Sequence, residues 1–232
     1  MSLTIAAFFI FFFTEAFIRA TARRQLRSIF KDAAVSVGSC RFRPLSGRLV
    51  FSDVKIEKGG AYILKSQNVA IDYKFPVALY FKLDFLQGQI DGEYKLTSAN
   101  PLSYSVKLYF NGLDIPSLIN DFNLKDKAQA SGKLNGEFFI SGRNQAVDDL
   151  RGTFATDPAG GKLVIGDATA LAEMARASGE NLDIIVESFH DYHYNNGNAV
   201  LKIEDKNLIL DMRLSGETGK RNLLVVWHDF VK

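Results

Sequence analysis

Two histidines and an aspartate at positions 190, 193 and 191 are the side chains whose types and spacing come nearest to a reactive site. His190, Asp191 and His193 offer the ligand types of a metal centre. The i, i+3 spacing of the histidines shares a face only on a helix, whereas on a strand the two imidazoles oppose each other. The surrounding run FHDYHY reads as polar residues on an aromatic strand, so no metal site is expected. Gly160, Gly161 and Lys162 have the look of a phosphate loop, but Leu163 stands where Ser or Thr is required and Thr156 where the first Gly belongs. The single cysteine, Cys40, cannot form an internal disulfide and is expected as a small core residue. Val37, Gly38, Ser39 and Cys40 loosely resemble a lipidation box, against which the basic stretch before them argues. With no nucleophile elbow, paired-cysteine cluster or acidic metal motif in the sequence, neither catalytic residues nor a cofactor are expected.

The elements that would position any site are strands. Val69, Ile71 and Tyr73 alternate with polar neighbours, as do Ile90, Tyr94 and Leu96. Leu102, Tyr104, Val106, Leu108 and Phe110 share one parity, Leu134, Phe138 and Ile140 another, and Leu208, Leu210, Met212 and Leu214 close the series. Period-2 alternation marks strands with one apolar and one solvated face, which suits antiparallel meanders better than a parallel sheet buried on both sides. Leu201 and Ile203, leading through Glu204 to Asn207 into the last run, predict a hairpin. Turn signals include Ser46-Gly47, Gly59-Gly60, Asn111-Gly112, Asn135-Gly136, Ser141-Gly142 and Ser215-Gly216, with Gly136 a candidate bulge. Two short helices are expected, one capped by Asp114 and running through Pro116 to Phe122, the other capped by Asp167 and stopping at Gly179. Phe75 to Phe85 is apolar enough for a strand or a packed helix.

From Leu3 to Ile18 the chain is apolar but for Glu15, with Phe8, Phe9, Ile10, Phe11, Phe12 and Phe13 at its centre. This predicts a membrane anchor, short beside the ~20 residues of a full span. Residues 1–32 are thus read as anchor and basic juxtamembrane helix, carrying Arg23, Arg24 and Arg27, and residues 33–232 as an elongated β-rich module. The arginines follow the apolar run, which favours a cytoplasmic body unless a basic N-terminus precedes the present start. Across the 232 residues, 28 Lys and Arg balance 26 Asp and Glu. That balance lacks the electrostatic footprint of a nucleic-acid binder.

The phrase GRLVFSDVKI at Gly47 to Ile56, the strand ending VAIDYK, the rung LQGQIDGEYKL at Leu86 to Leu96, and the stretch from Ala130 to Asp167 together resemble the AsmA-like family, including TamB-like and YdbH-like members. The closing GNAVLKIEDKNLILDMRLSG and RNLLVVWHDF are similar to it as well. The resemblance implies a mainly β fold with a few helices, a curled antiparallel sheet forming an open groove behind an N-terminal membrane helix. It implies an inner-membrane anchor, a periplasmic body, a role in envelope maintenance, and phospholipid and membrane as partners, with other envelope proteins or self-association besides. The groove would be lined by Val69, Ile71, Tyr73, Ile90, Tyr94, Leu96, Tyr104, Val106, Leu108, Phe110, Leu134, Phe138, Ile140, Leu208, Leu210, Met212 and Leu214. The chain is short for that family and its charges flank the anchor on the other side, so its side of the membrane rests on the resemblance. About a dozen strands ~4.8 Å apart make a groove only about 60 Å long, too short to bridge two membranes alone. The alternatives are an envelope assembly or scaffold protein with a closed β core, and an enzyme using the His190 and His193 region.

Overall fold

Alternation of apolar and polar side chains becomes pairing wherever neighbouring runs can lay like faces together. The computed structural model describes residues 3–30, 32–43, 46–74, 78–99, 102–121, 123, 125–126, 128–144, 146–157, 159–166, 172 and 181–230, with backbone alone for 3–14, 29, 73, 74, 99, 182, 184 and 185. A long helix, α1 (Leu3–Ile29), leads into β1 (Ala34–Ser36) and β2 (Ser39–Arg43). There follow β3 (Arg48–Lys58), β4 (Ala61–Lys74), β5 (Ala78–Phe85), β6 (Gly88–Ala99) and β7 (Leu102–Asp114). Helix α2 (Ile115–Asp121) and β8 (Ala128–Ala130) precede β9 (Lys133–Arg143), β10 (Ala146–Thr156) and β11 (Gly161–Ile165). Helix α3 (Leu182–His190), β12 (Tyr192–Tyr194), β13 (Asn196–Glu204), β14 (Asn207–Gly216) and β15 (Gly219–Trp227) complete the order.

Twelve of these strands form one antiparallel sheet, ordered β1-β3-β4-β5-β6-β7-β9-β10-β13-β14-β15, with β2 beside β1 on the same side of β3. The sheet is open: β15 does not pair back to the first edge among the described residues. The remaining β12, β11 and β8 make a small second sheet. The expected meander is therefore observed, interrupted only where β8, β11 and β12 leave the main path.

Register puts the apolar residues on one face. From Val69 the cross-strand row passes through Leu83, Ile90, Phe110, Gly136, Phe154, Ala199 and Met212 to Leu223. The row beside it links Ile71, Phe81, Gly92, Leu108, Phe138, Gly152, Leu201, Leu210 and Val225. Directly opposed residues of an antiparallel pair share a face, so these rows are continuous apolar bands across the sheet. The other face carries the ion pairs Arg48–Asp72 at 3.5 Å, Lys82–Asp91 at 3.6 Å, Lys95–Glu93 at 2.7 Å and Arg213–Asp211 at 2.8 Å. Exposed pairs of this kind add little stability; they mark the solvated side.

Glycines on the apolar face make room for rings lying flat. A Cβ on Gly92 would stand 2.1 Å from the Phe81 ring, and one on Gly136 would stand 2.7 Å from Phe154. Gly92→Ala should therefore cost about 1–3 kcal/mol by overpacking. In the Phe81→Ala background the same change should cost far less, and denaturant unfolding of the four proteins checks this. Equal losses in both backgrounds would mean that the ring does not set the requirement for glycine.

Several turn signals fall elsewhere than expected. Gly136 is regularly paired inside β9, and so is Gly142. The bulge lies opposite, where the β7–β9 register shifts between Phe110 and Leu113 and Gly112, at φ 64°, donates its N–H to Asn135 Oδ1 at 2.8 Å. Two hairpins turn on non-glycine residues with positive φ, Leu86-Gln87 and Asp205-Lys206, the conformation that matches strand twist. The ambiguous stretch is strand from Ala78 onward. Asp114 caps α2 as expected, its Oδ2 accepting from Ser117 N–H at 2.9 Å. The helix expected between Asp167 and Gly179 lies outside the described residues, apart from the single position 172.

Candidate functional site: one apolar sheet face and its two edges

Every predicted groove residue falls on the same face of the large sheet. Val69, Ile90, Phe110 and Met212 lie in the first row, and Ile71, Leu108, Phe138 and Leu210 in the second. A third row pairs Tyr73 with Leu79, Tyr94, Val106, Ile140 and Leu150. Leu96 opposes Tyr104, and Leu134, Leu208 and Leu214 sit two residues along their strands from members of the rows, hence on the same side. Tyr73 is placed by backbone register alone. The Tyr94 and Tyr104 rings stack with centroids 6.4 Å apart, and Phe110 meets Phe154 at 5.7 Å.

The same face holds residues that alternation did not single out, among them Phe81, Leu83, Leu150, Phe154 and Val225. Leu83 and Ile90 are buried with Leu113, while most other members, including Ile71, Leu108, Phe138 and Leu210, stay only partly buried. The face is covered at its two ends. Near β2 and β3, Ile18 and Ala22 of α1 pack against Cys40, Phe51 and Val54. Near β14, Tyr192, Tyr194 and Leu163 of the small sheet pack against Leu214 and Met212.

Helix α1 does more than precede the body. Glu15 Oε1 accepts the N–H of Phe42 at 2.9 Å, Arg19 Nη1 donates to the carbonyl of Gly38 at 2.8 Å, and Arg23 Nε donates to that of Val35 at 3.2 Å. Positions 15, 19 and 23 form one stripe of the helix, and together they occupy backbone groups along the β1–β2 edge. Glu15, the acid within the apolar run, and Arg23, one of the arginines expected beside a membrane, thus bind the sheet, as does Arg19. Burial raises the Cys40 thiol pKa, the nearby Glu15 adding to it and Arg19 opposing it; the thiol is free and buried, as expected of a core residue. Among the described residues no helix is long and apolar enough to cross a membrane. The side chains of Phe8, Phe9, Ile10, Phe11, Phe12 and Phe13 lie outside the described ones.

The histidine region divides between two elements. His190 ends α3 and His193 sits in β12, so the aromatic run FHDYHY is not the single strand expected. His193 Nε2 lies 3.3 Å from Asp191 Oδ1, and Lys162 Nζ reaches the same carboxylate at 2.6 Å. The Lys162 hydrogen bond holds the Asp191 carboxyl below the ordinary aspartate range. All three are solvent-exposed, and among the described residues no cluster of three His, Cys, Asp or Glu could hold a metal. Lys162 lies in β11, paired across to His193; a strand begins at Gly161 where a phosphate loop needs a helix N-terminus. An open depression of about 550 Å³ lies on the polar face, beside Lys107, Tyr109, Glu137, Phe139, Arg151 and Lys202, with the Arg151 guanidinium 4.8 Å from the Phe139 ring centroid.

Comparison with protein-family models, curated proteins and solved structures finds no match for this chain.

Proposed function

We propose that this chain is a membrane-anchored cell-envelope protein that shields or conveys phospholipid acyl chains along its apolar sheet face. The observation that carries the reading is the shared face: apolar rows cross the large sheet with most of their side chains only partly buried, while ion pairs collect on the opposite side. Open sheets with this many twisted strands tend to curl, and curling toward the apolar face, where flat rings lie over glycines, makes a trough. Each CH₂ shielded there is favourable by about 0.8 kcal/mol, so the work is passive and needs no catalyst or cofactor. The apolar first half of α1 serves as the anchor, in an inner membrane, with the body in the periplasm, following the AsmA-like resemblance. The covered ends of the face support a second reading, an envelope assembly or scaffold protein whose β core closes.

Lipid extraction from the full chain, purified in mild detergent, tests the first reading. Phospholipid should co-purify in stoichiometric amount, and the protein should speed transfer of labelled phospholipid between vesicles. Protein free of lipid and inert in transfer would sink the proposal and leave the scaffold reading standing.

A further inference from the structure

The two edges of the large sheet are treated unequally. At the first edge, α1 supplies Glu15, Arg19 and Arg23 to the backbone of β2, Gly38 and β1. At the other, β15 pairs with β14 on one side and with no strand on its second side among the described residues. An edge strand turns alternate N–H and C=O groups outward, and natural sheets protect such groups with charges, prolines or bulges. Lys220 and Asn222 stand at the start of β15, and the start is further tied down where the Tyr192 hydroxyl donates to the Gly219 carbonyl at 2.7 Å. From Leu223 through Leu224, Val225 and Val226 to Trp227 the edge is wholly apolar, without proline, and its pairing with β14 shows no register shift. Leu224 is 58% exposed and Trp227 45%.

We propose that β15 is an interaction edge whose partner is β15 of a second copy of this chain, paired antiparallel about a two-fold axis normal to the sheet. A register centred on Val225 sets Leu223 opposite Trp227 and Leu224 opposite Val226, so like faces meet and no charge falls inside the apolar segment. The capped first edge cannot accept a strand. Growth from head to tail is thereby blocked, and association stops at a closed dimer. The two-fold axis keeps both apolar faces on the same side, with the α1-capped edges outermost. On the acyl-chain reading of that face, the dimer presents one trough of about 100 Å; the pairing itself does not depend on that reading.

Sedimentation of the full chain in mild detergent, corrected for bound detergent, tests it together with two variants. The wild-type chain should sediment as a dimer. Leu224→Lys, which leaves the β14–β15 ladder intact, should weaken association by about tenfold or more with an unchanged circular dichroism spectrum. Val225→Cys should form an intermolecular disulfide on mild oxidation, while the wild-type chain, whose Cys40 is buried, should not. A wild-type chain that stays monomeric over the accessible concentration range would overturn the proposal. So would a dimer that withstands Leu224→Lys and gives no Val225→Cys cross-link. Neither readout involves lipid, so this proposal can fail while the acyl-chain reading stands, and the reverse.

Discussion

Replacing Tyr192 with alanine should destabilise the protein by about 3–5 kcal/mol, the range for deleting a large buried aromatic ring. Only 1% of Tyr192 is exposed. Its ring meets Phe189 of α3 edge-on at 6.4 Å and carries the Arg221 guanidinium 5.0 Å from its centroid. Its hydroxyl donates to Gly219, at the turn joining β14 to β15. One side chain therefore ties the small sheet, α3 and the last hairpin together. Tyr192→Phe separates the two contributions. It keeps the ring and strands the Gly219 carbonyl, for about 1–3 kcal/mol. Urea unfolding followed by circular dichroism measures both. As a control, Tyr109→Ala on the polar face, where the residue is 50% exposed, should stay within about 0.5 kcal/mol of wild type. A Tyr192→Ala loss no larger than the control would show that the small sheet does not pack on β14.

The same cluster shows where sequence reading stops. Strands β4, β6, β7, β9 and β14 are legible because their two faces differ in polarity, so the period of two survives in the letters. In β5 the faces carry Tyr80 and Phe81, both aromatic, and the period vanishes although the strand pairs regularly. Helix α3 was hidden by its neighbour: Phe189 and His190 belong to the helix, Tyr192 and Tyr194 to a strand, and the joined run looks like one alternating element. The retrievable signal was Asn181, whose Oδ1 accepts from Asp183 N–H at 2.9 Å, a helix cap. Asn-Gly pairs mislead for another reason. Asn111-Gly112 supplies the positive φ of a bulge and Asn135-Gly136 the empty space that a ring needs, and neither is a turn. For the candidate site, membership of the apolar face followed from alternation alone, because parity along each strand is local. Which strands lie side by side is not local, and only register aligns the rows. The stripe Glu15, Arg19, Arg23 was visible as spacing, yet its partners are backbone groups of strands not adjacent to it in sequence.

Leu108→Asp and Leu210→Asp should leave the protein folded while lowering bound phospholipid by about tenfold or more, a loss of roughly 1.4 kcal/mol or more of acyl-chain binding. Both residues lie in the second apolar row and both are only partly buried, Leu108 in mid-sheet and Leu210 two residues along β14 from Met212. In an open trough an aspartate there can reach water when lipid is absent, so the fold survives and the cost falls on lipid, whose tails would otherwise desolvate a charge. In a closed β core the same substitutions bury an unpaired carboxylate, and the protein should lose several kcal/mol or fail to fold. The two readings therefore predict opposite patterns from one pair of proteins. Tyr109→Asp, one residue along β7 from Leu108 and on the polar face, sets a carboxylate opposite Asp91 and Glu137; the exposed like charges should cost about 1 kcal/mol while the protein stays folded and its lipid content unchanged. Unfolding by Leu108→Asp and Leu210→Asp, with Tyr109→Asp folded, would decide for the closed core. Retained folding with undiminished lipid would remove the apolar face from lipid binding altogether, since the only surface altered in these variants is the one on which the acyl chains are held to lie.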